Sequence, residues 1–354
     1  MSRFFSTKYN QLTPYTPGEQ PRDMQYIKLN TNESPFPPSP RAQALAREAA
    51  NTLQLYSDPT CAELTAMAAE KLGVSPEEIL FTNGSDEILN FAFMAFCDSA
   101  HPAVFPDITY GFYPVFAKLN GVPYTQIPLQ EDFSVRAADY LGLNKTIFLA
   151  NPNAPTGLAL PLRQIEAIVK SNPDSVVVID EAYVDFGAES AVSLIGKYDN
   201  LLVTQTFSKS RSMAGARLGF GVGCKALIRD LNTIKYSTNP YNINRMTMAA
   251  GIGALADDEY FRSNCLQIVG NRDWTTRQLR KLGFTVLDSM TNFVFVKHEK
   301  LDGKELYLLL KARGILVRHF DSPRLTDYNR ITIGSMDQMT ALLTALTEIL
   351  EGAL

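Results

Sequence analysis

Short apolar runs recur along the first two thirds of the chain at Ile79–Thr82, Thr146–Ala150, Val176–Ile179 and Leu201–Val203. None alternates with polar residues, so each predicts a short strand buried on both faces. Helical patterns separate them. An alanine-rich stretch from Arg41 to Leu55 is broken by Tyr56-Ser57-Asp58-Pro59, and a second from Ala62 to Leu72 stops at Gly73. The apolar segment Ile88–Cys97 predicts a third helix, with Ser85 as its N-cap. Strands alternating with helices are the pattern of an open, mostly parallel sheet, whose ligand crevice lies along the carboxyl edge of the strands. Polar residues collect at that edge. They are Asn83-Gly84-Ser85-Asp86 after the first run, the Pro-rich turn Asn151–Gly157 after the second, Asp180-Glu181-Ala182-Tyr183 after the third, and Thr206, Ser208 and Lys209 after the fourth. Phe105–Gly111 reads as a further strand end and presents Tyr110, an aromatic ring suited to stacking on a flat ligand or simply to core packing.

The pattern changes at either end of this region. Turn and extended signals around Pro14–Gly18 and Asn30–Pro35 predict an irregular arm. Beyond a long polar helix, Asp257–Leu282, come short strands at Phe293–Lys297, Ile315–Arg318 and Arg330–Gly334, with helices at Lys304–Arg313 and Asp337–Leu350. Ser335 and Gln338 fit a capping box for the last helix. The expected organisation is therefore α/β. Residues 1–37 form an arm against the small domain or a neighbouring subunit, 38–250 a large sheet domain, and 251–354 a small α+β domain. Arg318 and Arg330 fall on strands of the small domain, where a mostly apolar strand demands an anionic partner for an arginine or else places it at the surface.

Composition narrows the function. Of the 354 residues 45% are hydrophobic and 20% charged, an ordinary soluble balance. A net charge of −4 gives no electrostatic case for nucleic acid or an anionic membrane. The four cysteines are far apart and read as reduced thiols, and the three histidines are too scattered for a zinc site. With no apolar leader in the first thirty residues and no membrane-length run, the expected location is the cytoplasm.

The chemistry concentrates in Thr206–Gly223. Lys209 sits among hydroxyls and small residues, and Arg217 follows eight positions later. An amine for a Schiff base beside hydroxyls and a guanidinium for a phosphate suits pyridoxal phosphate, which carries both an aldehyde and a phosphate. A solvated Ser/Lys/Arg turn is the plain alternative. The Gly84-Ser85-Asp86 turn offers backbone N–H groups to an anion, although an ordinary strand-to-helix turn looks the same.

The order Asn-Gly-Ser-Asp, Tyr-Gly, Pro-Asn-Ala-Pro-Thr-Gly, Asp-Glu-Ala-Tyr, Ser-Lys and Gly-Ala-Arg-Leu-Gly resembles the fold-type I pyridoxal-phosphate aminotransferases. Leu29–Glu33, Tyr56–Pro59, Pro240-Tyr241-Asn242, Thr291-Asn292-Phe293 and Arg330–Gly334 bring it closest to the histidinol-phosphate aminotransferase family, over nearly the whole chain. The resemblance implies transamination of histidinol phosphate with 2-oxoglutarate by a cytosolic homodimer. It gives Lys209 the cofactor's aldehyde and the proton transfer, Asp180 the pyridine nitrogen, and Tyr183 the phenolate oxygen. Arg217, Ser208, Thr206 and Gly84-Ser85-Asp86 would clamp the phosphate, Tyr110 would stack on the ring, and Tyr56 would reach the neighbouring subunit's phosphate. Arg330 would take the substrate carboxylate, with Arg318, Tyr15 and Asn32 at the phosphorylated end. One position departs from the family: where relatives carry a second asparagine toward the phenolate oxygen, this chain has Ala154, so Asn153 is expected to contribute instead. Threonine-phosphate decarboxylases and aromatic amino-acid aminotransferases share the scaffold. A regulatory module without catalysis would normally carry a basic DNA-binding domain, which is absent here.

Overall fold

A computed structural model describes residues 2–10 and 12–352. In chain order the arm supplies β1 (Ile27–Lys28), followed by α1 (Pro40–Ala49), α2 (Ala62–Leu72), β2 (Ile79–Thr82), α3 (Ser85–Phe96) and β3 (Ala103–Pro106). Next are α4 (Tyr113–Asn120), β4 (Tyr124–Ile127), β5 (Thr146–Ala150), α5 (Leu162–Ser171), β6 (Val177–Asp180), β7 (Leu201–Thr206) and β8 (Gly219–Gly223). Helices α6 (Lys225–Thr238), α7 (Arg245–Leu255) and α8 (Asp258–Lys281) lead to β9 (Phe284–Val286), β10 (Phe293–His298) and α9 (Gly303–Ala312). The chain ends with β11 (Ile315–Leu316), β12 (Arg318–His319), β13 (Asn329–Thr332) and α10 (Met336–Gly352).

The large sheet has seven strands in the order β2-β8-β7-β6-β5-β3-β4. Most neighbours are parallel, but β8 runs antiparallel to both β2 and β7. Strands β5 and β6 are buried throughout, as their unbroken apolar runs require. One face packs on α2, α5 and α7 through Leu64, Ile165, Ile168 and Ala254, and the other on α3, α4 and α6 through Ile88, Phe93, Phe116 and Leu231. The second sheet, β12-β13-β10-β9, is antiparallel and packs on α8 and α10 around Ile268, Val294, Ile331 and Leu342.

Several expectations shift on inspection. The helix expected to reach Leu55 ends at Ala49 and tightens into one 3-10 turn over Ala50–Thr52. Gly84, with φ +76°, precedes the first turn of α3, and Ser85 lies one residue inside it. The arm is not wholly irregular: β1 pairs in parallel with β11, and Leu29 is buried in the small-domain core. The run expected as one strand over Ile315–Arg318 divides between two sheets, because β11 pairs with β1 whereas β12 pairs with β13. The capping box of α10 forms as read, with Gln338 Oε1 accepting from the Ser335 N–H at 2.9 Å and Ser335 Oγ from the Gln338 N–H at 3.3 Å. Both X-Pro bonds of the 151–157 turn, at Pro152 and Pro155, are cis.

Candidate active site

The carboxyl edge of the large sheet opens into an inner chamber of about 310 Å³. Strand ends and one helix start place its walls. Ala150 closes β5, Asp180 closes β6, Thr206 closes β7, and Ser85 and Asp86 open α3. Thr31, Glu33, Tyr110, Ala154, Tyr183, Ser208, Lys209 and Arg217 are among the residues that complete them. An outer chamber of about 730 Å³ continues from it, sharing Thr31, Tyr110, Ala154, Tyr183 and Lys209 and adding Tyr15, Asn32, Arg318 and Arg330. The predicted residues are thus brought together, apart from Asn153, Tyr56 and Gly84. Gly84 belongs to the wall's framework rather than its surface.

At the α3 end the parts touch closely. A Cβ on Gly84 would lie 2.5 Å from Arg217 Nη2, and one on Gly219 would lie 2.4 Å from the Ser85 backbone nitrogen. Only hydrogens at these positions let β8, the turn and the arginine converge. Thr206 Oγ1 accepts from the Ser208 N–H at 3.1 Å and donates to Ser208 Oγ at 3.0 Å, fixing both hydroxyls at the carboxyl end of β7. Arg217 Nη2 donates to Asp86 Oδ2 at 2.9 Å, and the other carboxylate oxygen accepts the Tyr110 hydroxyl at 2.5 Å. Backbone N–H groups at a helix start, two hydroxyls and a guanidinium make an anion cradle.

Deeper in the site, Asp180 is buried. Its carboxylate accepts from Tyr113 Oη at 3.0 Å and from Thr204 Oγ1 at 3.3 Å. Burial outweighs those bonds and raises its pKa to about 6. Lys209 Nζ donates to the Thr31 carbonyl at 3.3 Å, and burial, with Arg330 adding, lowers the amine to about 8. Tyr183 receives a hydrogen bond from Asn32 Nδ2 at 2.9 Å. Tyr113 was not singled out by sequence reasoning. Its only signal was a second tyrosine three residues after Tyr110, indistinguishable there from helix-start packing.

The expectation for Asn153 is corrected. Its amide donates to the Ile108 carbonyl at 3.0 Å and Thr156 Oγ1 at 3.1 Å, and its oxygen accepts Thr109 Oγ1 at 2.7 Å. Fully engaged in tying its turn to the Ile108-Thr109 segment, it lines a separate cavity, while Ala154 lines both chambers. Tyr56 is 79% exposed and stacked on Tyr241, with ring centroids 4.5 Å apart, outside both chambers.

In the outer chamber Arg318 and Arg330 stand directly opposite each other in the β12–β13 ladder. Among the described residues their only hydrogen bonds go to backbone carbonyls, Arg318 to those of Thr16 and Pro17 at 3.4 Å and Arg330 to that of Asn30 at 3.1 Å, while both guanidinium groups lie over the Phe320 ring and Arg330 also over Phe293. Arg330 Nε is buried without a partner among the described residues. Like charges facing across a ladder repel, and an unpaired buried donor is costly, so the pair is arranged for an incoming anion.

The family model for Aminotransferase class I and II matches residues 24–346. The chain belongs to this family. Among these aminotransferases it is 48% identical to the histidinol-phosphate aminotransferase of Brachyspira hyodysenteriae, over 99% of this chain and 100% of that protein. It is 49% identical to histidinol-phosphate aminotransferase 2 of Dechloromonas aromatica, over 99% of each. The fold matches the crystal structure of the Sinorhizobium meliloti histidinol-phosphate aminotransferase in complex with pyridoxal-5'-phosphate, with a TM-score of 0.85 at 26% identity, covering 93% of this chain and 92% of that one.

The residues present fit that cofactor. Glycine at 84 and 219 lets Arg217 and the Ser85 backbone nitrogen come close enough to form an anion cradle. The Lys209 amine opens onto the same chamber, and the Asp180 carboxyl, buried and with a raised pKa, stands on its wall without a cationic partner among the described residues.

Proposed function

We infer that this protein exchanges an amino group between histidinol phosphate and 2-oxoglutarate, yielding imidazole-acetol phosphate and L-glutamate, as a pyridoxal-phosphate enzyme of histidine biosynthesis. The observation that carries it is the Arg318–Arg330 pair opening onto the same space as Lys209, in a chain nearly half identical to histidinol-phosphate aminotransferases along its length. One chamber meets the cofactor and the next meets an anionic substrate.

When bound, the cofactor's pyridine ring supplies the electron sink that makes an amino acid's Cα–H bond acidic. The rest falls to the chain. Lys209, with its amine lowered to about 8, is partly neutral near pH 7, both to bind an aldehyde and to take and return the proton at Cα. Asp180 holds a proton on the ring nitrogen, and the resulting ion pair offsets its own burial. Tyr183 donates to the ring's phenolate oxygen, and Tyr110 packs against the ring face. Arg217, Thr206, Ser208 and the Gly84-Ser85-Asp86 turn bind the phosphate, which adds anionic partners around an arginine now held by Asp86. Arg330 takes the α-carboxylate of glutamate, and Arg318 the distal anion of either substrate, with Tyr15 and Asn32 beside them. Tyr56 serves the neighbouring chamber of a homodimer. The enzyme would work in the cytoplasm, alongside the biosynthetic chemistry proposed for it. Among the described residues no helix is long and apolar enough to cross a membrane.

Single-turnover spectra of the cofactor-loaded protein test the reading. Histidinol phosphate should convert the cofactor's absorption rapidly and 2-oxoglutarate should restore it. A preference for phenylalanine would favour an aromatic aminotransferase instead, and amine release from threonine phosphate without 2-oxoglutarate would favour a decarboxylase.

A further inference from the structure

We propose that Asn32 and Thr332 act as positioning residues that commit the Tyr183 hydroxyl as a proton donor into the inner chamber, a step that rests on the cofactor reading above. The direction of each hydrogen bond fixes the next. The Asn32 backbone N–H donates to Thr332 Oγ1 at 3.0 Å. That oxygen is therefore an acceptor there, and the hydroxyl's single hydrogen goes to Asn32 Oδ1 at 3.1 Å. With the oxygen of the Asn32 amide facing Thr332, its nitrogen must face Tyr183, and it donates to the phenol oxygen at 2.9 Å. The reverse amide orientation would leave the Thr332 hydrogen without its acceptor.

Tyr183 is thereby an acceptor toward the arm, and its own proton remains for the chamber it lines. Among the described residues no protein atom accepts that proton. Burial raises the phenol above its ordinary pKa, so the proton is present at neutral pH. The ring is held edge-on against Phe293 at 5.1 Å and 90°, which keeps the hydroxyl at the wall. Both relay residues are closely packed, Asn32 being 1% and Thr332 2% exposed. Asn32 itself adopts φ +56°, a left-handed conformation that asparagine tolerates, and Asn292 Nδ2 clamps its carbonyl at 3.0 Å. Ala154, on the same chamber, brings no polar side-chain atom. The donor duty toward the ring oxygen therefore rests on Tyr183, and its aim is set by an arm residue and a β13 residue. Thr332 lies two positions from Arg330 and so on the same face of β13, which ties the substrate's anion site to this donor.

The test is the pH midpoint of the bound cofactor's visible absorbance change, read alongside kcat. A hydrogen bond to the anionic ring oxygen lowers that midpoint, and misdirecting it raises it. Thr332→Val, which keeps the shape and removes the hydroxyl, should raise the midpoint by roughly half to one unit. Asn32→Asp, which puts an acceptor where Tyr183 finds a donor, should raise it at least as far, and Thr332→Ser should leave it at the parent value. In a Tyr183→Phe background neither change should shift it further. An unmoved midpoint in both Thr332→Val and Asn32→Asp, or an undiminished shift in the Tyr183→Phe background, would overturn the proposal alone. A parent protein that takes up no cofactor would overturn it together with the reading of the site.

Discussion

Asp180 and Lys209 are shifted toward each other in pKa, one raised to about 6 and the other lowered to about 8, and burial leads in both. A carboxyl so placed has no cationic partner among the described residues, and a protonated ring nitrogen would supply one. Asp180→Asn should therefore keep bound cofactor, because Arg217 and the hydroxyls are untouched, but lose turnover by roughly ten- to a hundredfold, as expected for a charge-assisted bond of about 1.5–3 kcal/mol. Parent-level kcat with full cofactor occupancy would remove Asp180 from this role. A second expectation follows from the neighbouring acid. Glu181, bonded to Ser190, Gln205 and the Ala191 N–H, is raised to about 7 by burial. Both acids bind protons more tightly folded than unfolded, so their contribution is full below pH 4 and is lost as pH rises through 6 to 7. Thermal melts of the cofactor-free protein should thus lose stability from these acids between about pH 4 and 7. Glu181→Gln should flatten that slope, and cofactor binding should remove the Asp180 share. At this scale Lys209, Asp180 and Arg217 were legible, because charged residues after apolar runs have few other uses. Tyr113, Thr204 and Thr332 were not, since their roles arise only when separate strands meet.

Elements turn those residues into a site by closeness and register. Strand β8 carries glycine at position 219, where a Cβ would meet the Ser85 nitrogen at 2.4 Å. Gly219→Ala should push the start of α3 outward and weaken cofactor affinity by at least tenfold, about 1.4 kcal/mol, with a smaller effect on kcat once the site is saturated. A titration of cofactor fluorescence checks this. The β12–β13 register yields another expectation. Histidinol phosphate has a phosphate and no carboxylate, whereas glutamate has two carboxylates. With Arg318 facing Arg330, Arg330→Ala should injure the glutamate half-reaction far more than the histidinol-phosphate one, and Arg318→Ala should injure both. Losses of roughly ten- to a hundredfold in each affected specificity constant are expected, and equal losses for both substrates in Arg330→Ala would refute this division. The strand ends at Thr82 and Ala150 were readable to the residue because apolar runs stop where the crevice begins. The antiparallel course of β8 and the division of 315–318 between two sheets were not, because strand direction and partner are decided by distant chain.

At the scale of the molecule, the arm, the small domain and the large sheet meet at the chambers, yet Tyr56 lines neither of them. It stacks on Tyr241 at the surface, with Leu53 and Leu55 also more than half exposed nearby in sequence. The Tyr56 carbonyl is held by Arg245 at 2.8 Å, and Ser57 Oγ donates to the Ile243 carbonyl at 2.6 Å, so the loop is fixed while its aromatic tip is bare. A fixed, bare aromatic tip suits a two-fold partner, in which each chain would complete the other's phosphate cradle. Subunit mixing tests this directly. Tyr56→Ala alone should weaken cofactor binding by about tenfold, roughly 1.4 kcal/mol, and Lys209→Ala alone should be inactive. In a hybrid dimer of these two variants, the chain that keeps Lys209 would receive Tyr56 from its partner and regain a complete site. The hybrid should therefore show parent cofactor affinity at that one site, measured as activity at limiting cofactor. If Tyr56 served its own chain, the Lys209-bearing chamber would stay defective and mixing would restore nothing.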